Sequence, residues 1–484
     1  MAEENLKAKT LSGMIWSFVQ RFGTMAISFV SNIILARLLT PDDYGTIGML
    51  MIFIAVANTF VDGGFGSALI QKKEPTKEDY STIFWWNMLL SVVLYGLLFL
   101  GAPAVARFYN LPILCDVLRV QGIVLIINAL SIIQQNQLRK QLKFKRLASV
   151  TVVSAVLSAS IAIVLAYMGW GVWALVAQQL MLSGFTAIQL WVLNKWWPSI
   201  IFSTKSFKDL FGFGGFMLIS GLINTLCNNI QGLLIGRFCS PATLGYYTQA
   251  RKLEEIASTS FVTVVDQVSY PILAKFQDDK TKLISILKKL ILSIAFVTFP
   301  LMIILIIISH PLILFLYSEK WLASVPYFRI LCFAGIAICL QGIHYHAVAS
   351  IGKSKAMFYW TIVKRTLGII YLIVGLYYWD IYGLLWACVA GSWTILIINA
   401  YLTSKYVRYD LKEQFMDLLP IILLSIVSYI ISEMTLYFID VDVILKSFIR
   451  GGIFSISYIV IAHMLKIEAY TQIKSLLFEY VKKK

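Results

Sequence analysis

Leu35-Ala36-Arg37-Leu38-Leu39-Thr40-Pro41-Asp42-Asp43-Tyr44-Gly45 returns later in the chain as Ile235-Gly236-Arg237-Phe238-Cys239-Ser240-Pro241-Ala242-Thr243-Leu244-Gly245. Arg, Pro and Gly recur at one offset of 200 residues, as from Arg37 to Arg237. The register extends upstream. Gln20, Thr24, Ser28 and Ser31 stand where Ser220, Asn224, Asn228 and Gln231 stand in the second copy. Steps of four, four and three residues put each set on one face of a helix. Two copies of one helix thus carry the same polar stripe, which predicts a duplicated architecture with a polar region for the stripes to face.

The composition says what surrounds those helices. The chain has 484 residues, of which 59% are hydrophobic and only 14% charged. A soluble protein could not cover that much apolar surface, and mean hydropathy is +0.78. Apolar runs long enough to cross a bilayer core of roughly 30 Å recur from end to end. A β-barrel is excluded, because its strands are short and alternate. About 14 spans are expected, at 12–36, 46–70, 83–106, 115–137, 148–168, 171–193, 211–236, 246–273, 285–309, 323–348, 357–377, 382–403, 418–438 and 446–465. The first run is too long for a signal peptide, has no clear small-residue cleavage site, and is expected to stay as the first helix.

Six spans per copy is an even number, so both copies enter the membrane from the same side as parallel repeats. The expected layout is an all-α polytopic membrane protein. Residues 1–193 form the first six-helix bundle and 194–210 a basic cytoplasmic linker with Trp196, Trp197 and Pro198. Residues 211–405 form the second bundle, and 406–484 hold two further helices and a basic tail. Lysine and arginine crowd alternate loops, as at Lys72/Lys73/Lys77 and Arg139/Lys140/Lys143/Lys145/Arg146, and the tail ends Lys482-Lys483-Lys484. By the positive-inside rule both termini are cytoplasmic. The net charge of +16 is therefore mostly topology and not a nucleic-acid footprint. No GxxxxGK[ST] occurs, so no ATP-driven motor resides here. No cofactor is expected, and the expected energy source is an ion gradient (proton or sodium), the membrane potential or the cargo's own gradient. No metal site is expected from the cysteines. Cys115 and Cys239 both fall near the outer face, where spacing alone does not decide whether they pair.

Ionisable residues at bilayer depth tend to face a cavity or a partner. Arg21 lies some 12 Å in from the cytoplasmic end of its span, at about 1.5 Å per residue. Lys364 and Arg365 lie at a similar depth. Arginine's planar fork suits phosphate, so these three predict a receptor for an anionic headgroup. Asp62 lies near the depth of Arg21 and could instead tether it. In the eighth span Lys252, Glu255, Thr259, Thr263 and Asp266 share one helical face, with Arg251 able to neutralise Glu254 or Glu255 from one turn away. Lys252 is expected to line the cavity, and Asp62, Glu255 and Asp266 are the candidates for ion coupling. Arg37 and Arg237 read as structural, a cation at each helix C-terminus before a proline stop, with Gly45 and Gly245 letting the chain turn back. His344 and His346 could titrate near the inner end of the tenth span. The glycines of Asp62-Gly63-Gly64-Phe65-Gly66 follow an apolar helix and not a strand, which predicts a bend or close helix contact and no nucleotide loop.

Trp16, Gln20-Arg21-Phe22-Gly23, Ala36-Arg37-Leu38-Leu39-Thr40-Pro41 and Tyr44-Gly45 together resemble the opening of polysaccharide exporters of the Wzx type. Asp62-Gly63-Gly64-Phe65 to Ala68-Leu69-Ile70-Gln71 is similar to that family's second helix. The resemblance covers essentially the whole chain, with the WzxC-like subgroup the most similar. It places the protein in the superfamily that also holds multidrug exporters and the lipid II flippase. It implies two six-helix bundles in a V that open alternately to each side. It also implies a cargo, an oligosaccharide on undecaprenyl diphosphate, flipped from the inner to the outer leaflet of the bacterial cytoplasmic membrane. Arg21 is the residue that best matches the cationic cavity expected for it. Expected partners are that lipid-linked oligosaccharide, anionic membrane lipids and other polysaccharide assembly proteins.

The alternatives are a lipid II flippase or a multidrug or cation antiporter of the same superfamily and, from another class, a membrane polysaccharide polymerase or ligase. An antiporter for cations should be acidic where this chain is basic. A polymerase or ligase should carry catalytic groups on a sizeable outer loop, and the outer loops here are short and nearly uncharged.

Overall fold

The computed structural model describes residues 2–437 and 442–482, with the side chains at 2–11, 213, 264–266, 268, 354, 436–437 and 476–482 outside that description. By its contacts the chain divides into two compact units, Met1–Gly245 and Tyr246–Lys484.

The first unit holds α1 (Ala2–Leu38), α2 (Pro41–Asp62), α3 (Phe65–Gln71), α4 (Lys77–Tyr109), α5 (Ile113–Gln121), α6 (Ile123–Lys140), α7 (Phe144–Tyr167), α8 (Val172–Asn194) and α9 (Thr204–Phe238). The opening motif both ends α1 and starts α2. Thr40 caps α2: its hydroxyl accepts from the Asp43 amide at 3.3 Å, and the Asp43 carboxylate accepts from the Thr40 amide at 2.9 Å. Pro41, lacking an N–H, sits in the first turn where none is needed. In the second copy Ser240 accepts from the Thr243 amide at 3.2 Å.

The glycines of the motif correct the sequence reading. Gly45 and Gly245 lie inside helices and turn nothing. Each instead makes room for the other copy's proline. A Cβ on Gly45 would fall inside the carbonyl group of Pro241, and one on Gly245 inside that of Pro41.

The expected span 46–70 is a broken helix. Gly63 (φ 58°) and Gly64 (φ 69°) are left-handed, a conformation glycine adopts without penalty, and α3 restarts at Phe65. A Cβ on Gly64 would stand 2.5 Å from the Gly214 carbonyl oxygen of α9. Bend and close helix contact thus occur at the same place. Lys140 at the end of α6 closes the other end of α3 by donating to the carbonyls of Leu69, Ile70 and Lys72.

The linker after α8 is strapped to α4. Ser81 and Thr82 accept from the amides of Ser199 and Ser203, each at 3.0 Å, and the Trp85 indole donates to the Ser199 carbonyl at 2.9 Å. Trp196 packs beside Phe84 in the aromatic cluster around Phe65 and Phe207, whereas Trp197 is 76% exposed. The sequence repeat divides the chain at 194–210. The contacts assign α9 to the first unit, because it packs along α2 and α3.

The second unit takes up α10 (Pro241–Lys275) from Tyr246 onward. It continues with α11 (Lys280–Ile307), α12 (Ser309–Tyr317), a 3-10 turn (Glu319–Ser324), α13 (Val325–Ser350), α14 (Ser354–Val407), α15 (Leu411–Tyr437), α16 (Val443–Met464) and α17 (Glu468–Lys482). α14 is two arms joined at Trp379 and Asp380, whose backbones leave the helical region. They match the expected spans 357–377 and 382–403. Gly375 and Gly383 let the arms touch, since a Cβ on either would strike the other's carbonyl. The expected basic tail continues as α17.

The protein is helical, and twelve described helices are long and apolar enough to cross a membrane. The expected count was about 14. α14 enters the twelve once despite its two arms. α10, at 35 residues and carrying Arg251, Lys252, Glu254 and Glu255, is not among those twelve described helices. All six cysteines are free thiols, Cys115 and Cys239 included.

Candidate functional site

The stripes come first, because their exposure shows what they can do. On α1, Gln20 and Thr24 are half-buried, Ser28 is exposed and Ser31 is buried. On α9, Ser220, Asn224 and Asn228 are exposed and Gln231 is half-buried. Thr24 spends its hydroxyl on the Gln20 carbonyl at 2.7 Å, and Ser31 on that of Ser28 at 3.2 Å, the usual back-bonding of short hydroxyls in a helix. Of the eight positions four are thus exposed, three half-buried and one buried. Amides and hydroxyls at membrane depth are expensive against lipid, so uncovered ones mark a wet surface.

Arg21 is exposed beside the first stripe. Asp62, at the end of α2, is also exposed, and the cation set against it is Arg139 of α6.

Lys364 departs from expectation. It is 9% exposed, and its ammonium donates to Asn399 Oδ1 at 2.8 Å. Asn399 in turn donates to the Gln341 carbonyl at 3.2 Å, and Gln341 to the Ser392 carbonyl at 2.8 Å. His344, buried here and not at a loop edge, meets Thr403 at 3.3 Å. The space they share with Tyr345, Val348, Met357 and Leu402 is too small for a water molecule, let alone a diphosphate. In this conformation Lys364 therefore ties the two arms of α14 together, and Asn399 ties the second arm to α13. Arg365, the next residue, is half-buried and points elsewhere on the helix.

On α10 the expected stripe is open in part: Lys252, Glu255 and Thr263 are half-buried and Thr259 is exposed. The side chain of Asp266 lies outside the described residues. Glu255 takes Arg251 at 2.7 Å, and Arg251 also donates to the Tyr247 hydroxyl at 2.9 Å. The buried carboxyl is the neighbouring Glu254, which the sequence reading named only as a partner for Arg251. A signal was present, since Tyr247, Ala250, Glu254 and Ser258 step by three, four and four residues along one face, and all four are buried. Among the described residues no cluster of three or more His, Cys, Asp or Glu could hold a metal ion.

Solved membrane proteins share this multi-pass helical fold. The inward closed form of the lipid II flippase MurJ matches 93% of this chain and 99% of its own, with TM-score 0.72 and 15% identity. An inward-facing multidrug resistance MATE family transporter of the MOP superfamily matches 82% of this chain and 98% of its own, with TM-score 0.60 and 15% identity.

The family model described as "Polysaccharide biosynthesis protein" matches residues 34–326, and the chain belongs to that family. The teichuronic acid biosynthesis protein TuaB of Bacillus subtilis (strain 168) is 28% identical, over 97% of this chain and 98% of its own. The lipopolysaccharide biosynthesis protein WzxC of Escherichia coli (strain K12) is 24% identical, over 69% of this chain and 68% of its own. The succinoglycan biosynthesis transport protein ExoT of Rhizobium meliloti (strain 1021) is 23% identical, over 74% and 73%. The family resemblance read from Trp16 to Gln71 is thereby borne out, and the likeness to the two solved transporters shows that the chain shares their fold.

Proposed function

We propose that this chain flips an undecaprenyl-diphosphate-linked oligosaccharide, an O-antigen, capsule or exopolysaccharide unit, from the inner to the outer leaflet of the bacterial cytoplasmic membrane. Both termini lie in the cytoplasm. Transport is by alternating access, with no catalytic step, and is driven by a proton or sodium gradient. The observation that carries the reading is the pair of matched stripes on α1 and α9, at membrane depth and, Ser31 apart, exposed or half-buried. Sugars are bound through hydroxyls, and uncharged Gln, Asn, Ser and Thr groups can donate to them and accept from them. Arg21 beside the first stripe supplies the charge a diphosphate needs, with Arg365 as a second cation and Lys364 available only if its ties to Asn399 open. The second copy has Gly221 where the first has Arg21, so the cationic end is single.

Mass spectrometry of lipids that co-purify with the full-length protein tests the cargo. A polyprenyl-diphosphate oligosaccharide is expected with the wild type and is lost with Arg21→Ala. Because Arg21 is exposed, that variant should fold and melt as the wild type does. Wild-type lipid retention by Arg21→Ala would overturn the role given to Arg21. Co-purification of a cationic drug-like molecule in place of a lipid-linked sugar would overturn the cargo.

A further inference from the structure

Two adjacent carboxyls on α10 meet opposite fates. Glu255 stands on the partly open face and takes Arg251. Glu254, about 100° round the helix, turns into the second unit's interior and is 4% exposed. Its Oε1 has no hydrogen-bond partner among the described residues. The wall against that oxygen is Gly335 of α13, where a Cβ would stand 2.6 Å from it, with Met302 of α11 alongside. The carboxyl does receive a hydrogen bond from Ser258, one turn further along α10. The titratable groups around it are Cys332 and Cys339 on α13 and Arg251 and Glu255 on its own helix, and from α11 the thioether of Met302 stands at the same wall.

An ionised carboxylate needs partners for both oxygens, and one oxygen against a glycine and a thioether has none. A carboxylic acid has no such need. The cation that could serve an ionised Glu254 is one turn away and engaged elsewhere. Arg251 is three residues from Glu254 and four from Glu255, and both spacings allow a helical pair.

We propose that Glu254 is a proton-binding site, protonated in this conformation, and that on releasing its proton to water it takes Arg251 from Glu255. The exchange breaks the Arg251–Glu255 pair and the Arg251–Tyr247 bond, and makes one pair in the interior. Glu255, on the partly open face, is left to water. Reprotonation of Glu254 returns Arg251 to Glu255. The site is a property of the second unit alone. Its use in transport rests on the gradient coupling proposed above and gives that coupling a residue, Glu254 in place of the expected Glu255.

The test is infrared difference spectroscopy of the purified full-length protein in lipid nanodiscs, titrated from about pH 5 to about pH 10, a range that spans a buried carboxyl. The C=O band of a protonated carboxyl is expected at neutral pH in the wild type and in Glu255→Gln, and is missing from Glu254→Gln. An unchanged band in Glu254→Gln would overturn the site. Glu255→Gln frees Arg251, so its band should titrate away roughly one pH unit below that of the wild type. Coincident midpoints would overturn the exchange, and this arm holds even if Glu254→Gln fails to fold. Cargo movement indifferent to an imposed pH gradient, with the band behaving as expected, would overturn the coupling and leave the site standing.

Discussion

Lys364 shows how far one side chain's role depends on its neighbours. Its depth in the eleventh span was legible, and depth alone suggested a headgroup receptor. What the sequence could not show is that Asn399, in the other arm of α14, would come within 2.8 Å of its ammonium. The ammonium holds together a chain of buried groups through Asn399, Gln341 and Thr403. Removing one member leaves the others unsatisfied, and the cost of an orphaned buried polar group is about 1–3 kcal/mol. Lys364→Met and Asn399→Leu should each lower thermal stability in detergent by that order, and the double variant by less than their sum. Additive losses would show that the two do not act as a pair. Arg21→Ala, by contrast, removes an exposed group and should change binding with little change in melting. Adjacent residues escape pattern reading for a similar reason. Glu254 and Glu255 have the same chemistry, and only the tertiary packing of Gly335 and Met302 decides which is buried.

At the scale of elements, long periodic apolar runs were legible and the breaks within them less so. The two arms of α14 correspond to the expected spans 357–377 and 382–403, with the break at Trp379 and Asp380. The break after α2 was foreseen as a bend, yet its depth comes from two consecutive left-handed glycines pressed against α9. Gly64→Ala meets both penalties, an unfavourable backbone conformation and a contact of 2.5 Å with the Gly214 carbonyl, and should cost about 1–3 kcal/mol. Faster amide exchange in α3 and the adjoining turn of α9, with exchange in α7 unchanged, is the expected readout. Wild-type exchange in all three would show that the junction tolerates a methyl group. The sequence reading singled out no helix caps, although Thr40 with Asp43 and Thr76 with Asp79 both form a reciprocal capping box.

At the scale of the molecule the duplication is what the sequence declared most clearly, and it located the stripes on α1 and α9 before any coordinates. It did not foretell that the glycines of the two motifs meet the prolines of the opposite copy, because a repeat fixes register and says nothing of which repeated parts touch. The contact yields an expectation for each glycine separately. Gly45→Val and Gly245→Val should both drive the turns at 40–45 and 240–245 apart, since either side chain occupies the space of a proline carbonyl. Spin labels at Thr40→Cys and Ser240→Cys, in a chain whose native cysteines are replaced, would report a longer distance in both variants. A distance equal to the parent's in both would mean that the turns accommodate the side chain in place. The reciprocity carries a further meaning. A patch in which the proline of one copy meets the glycine of the other, and the reverse, has the geometry by which two identical subunits associate about a twofold axis. This single chain carries within itself the self-complementary seam of a homodimer, so each mutation in one motif has a mirror-image counterpart in the other.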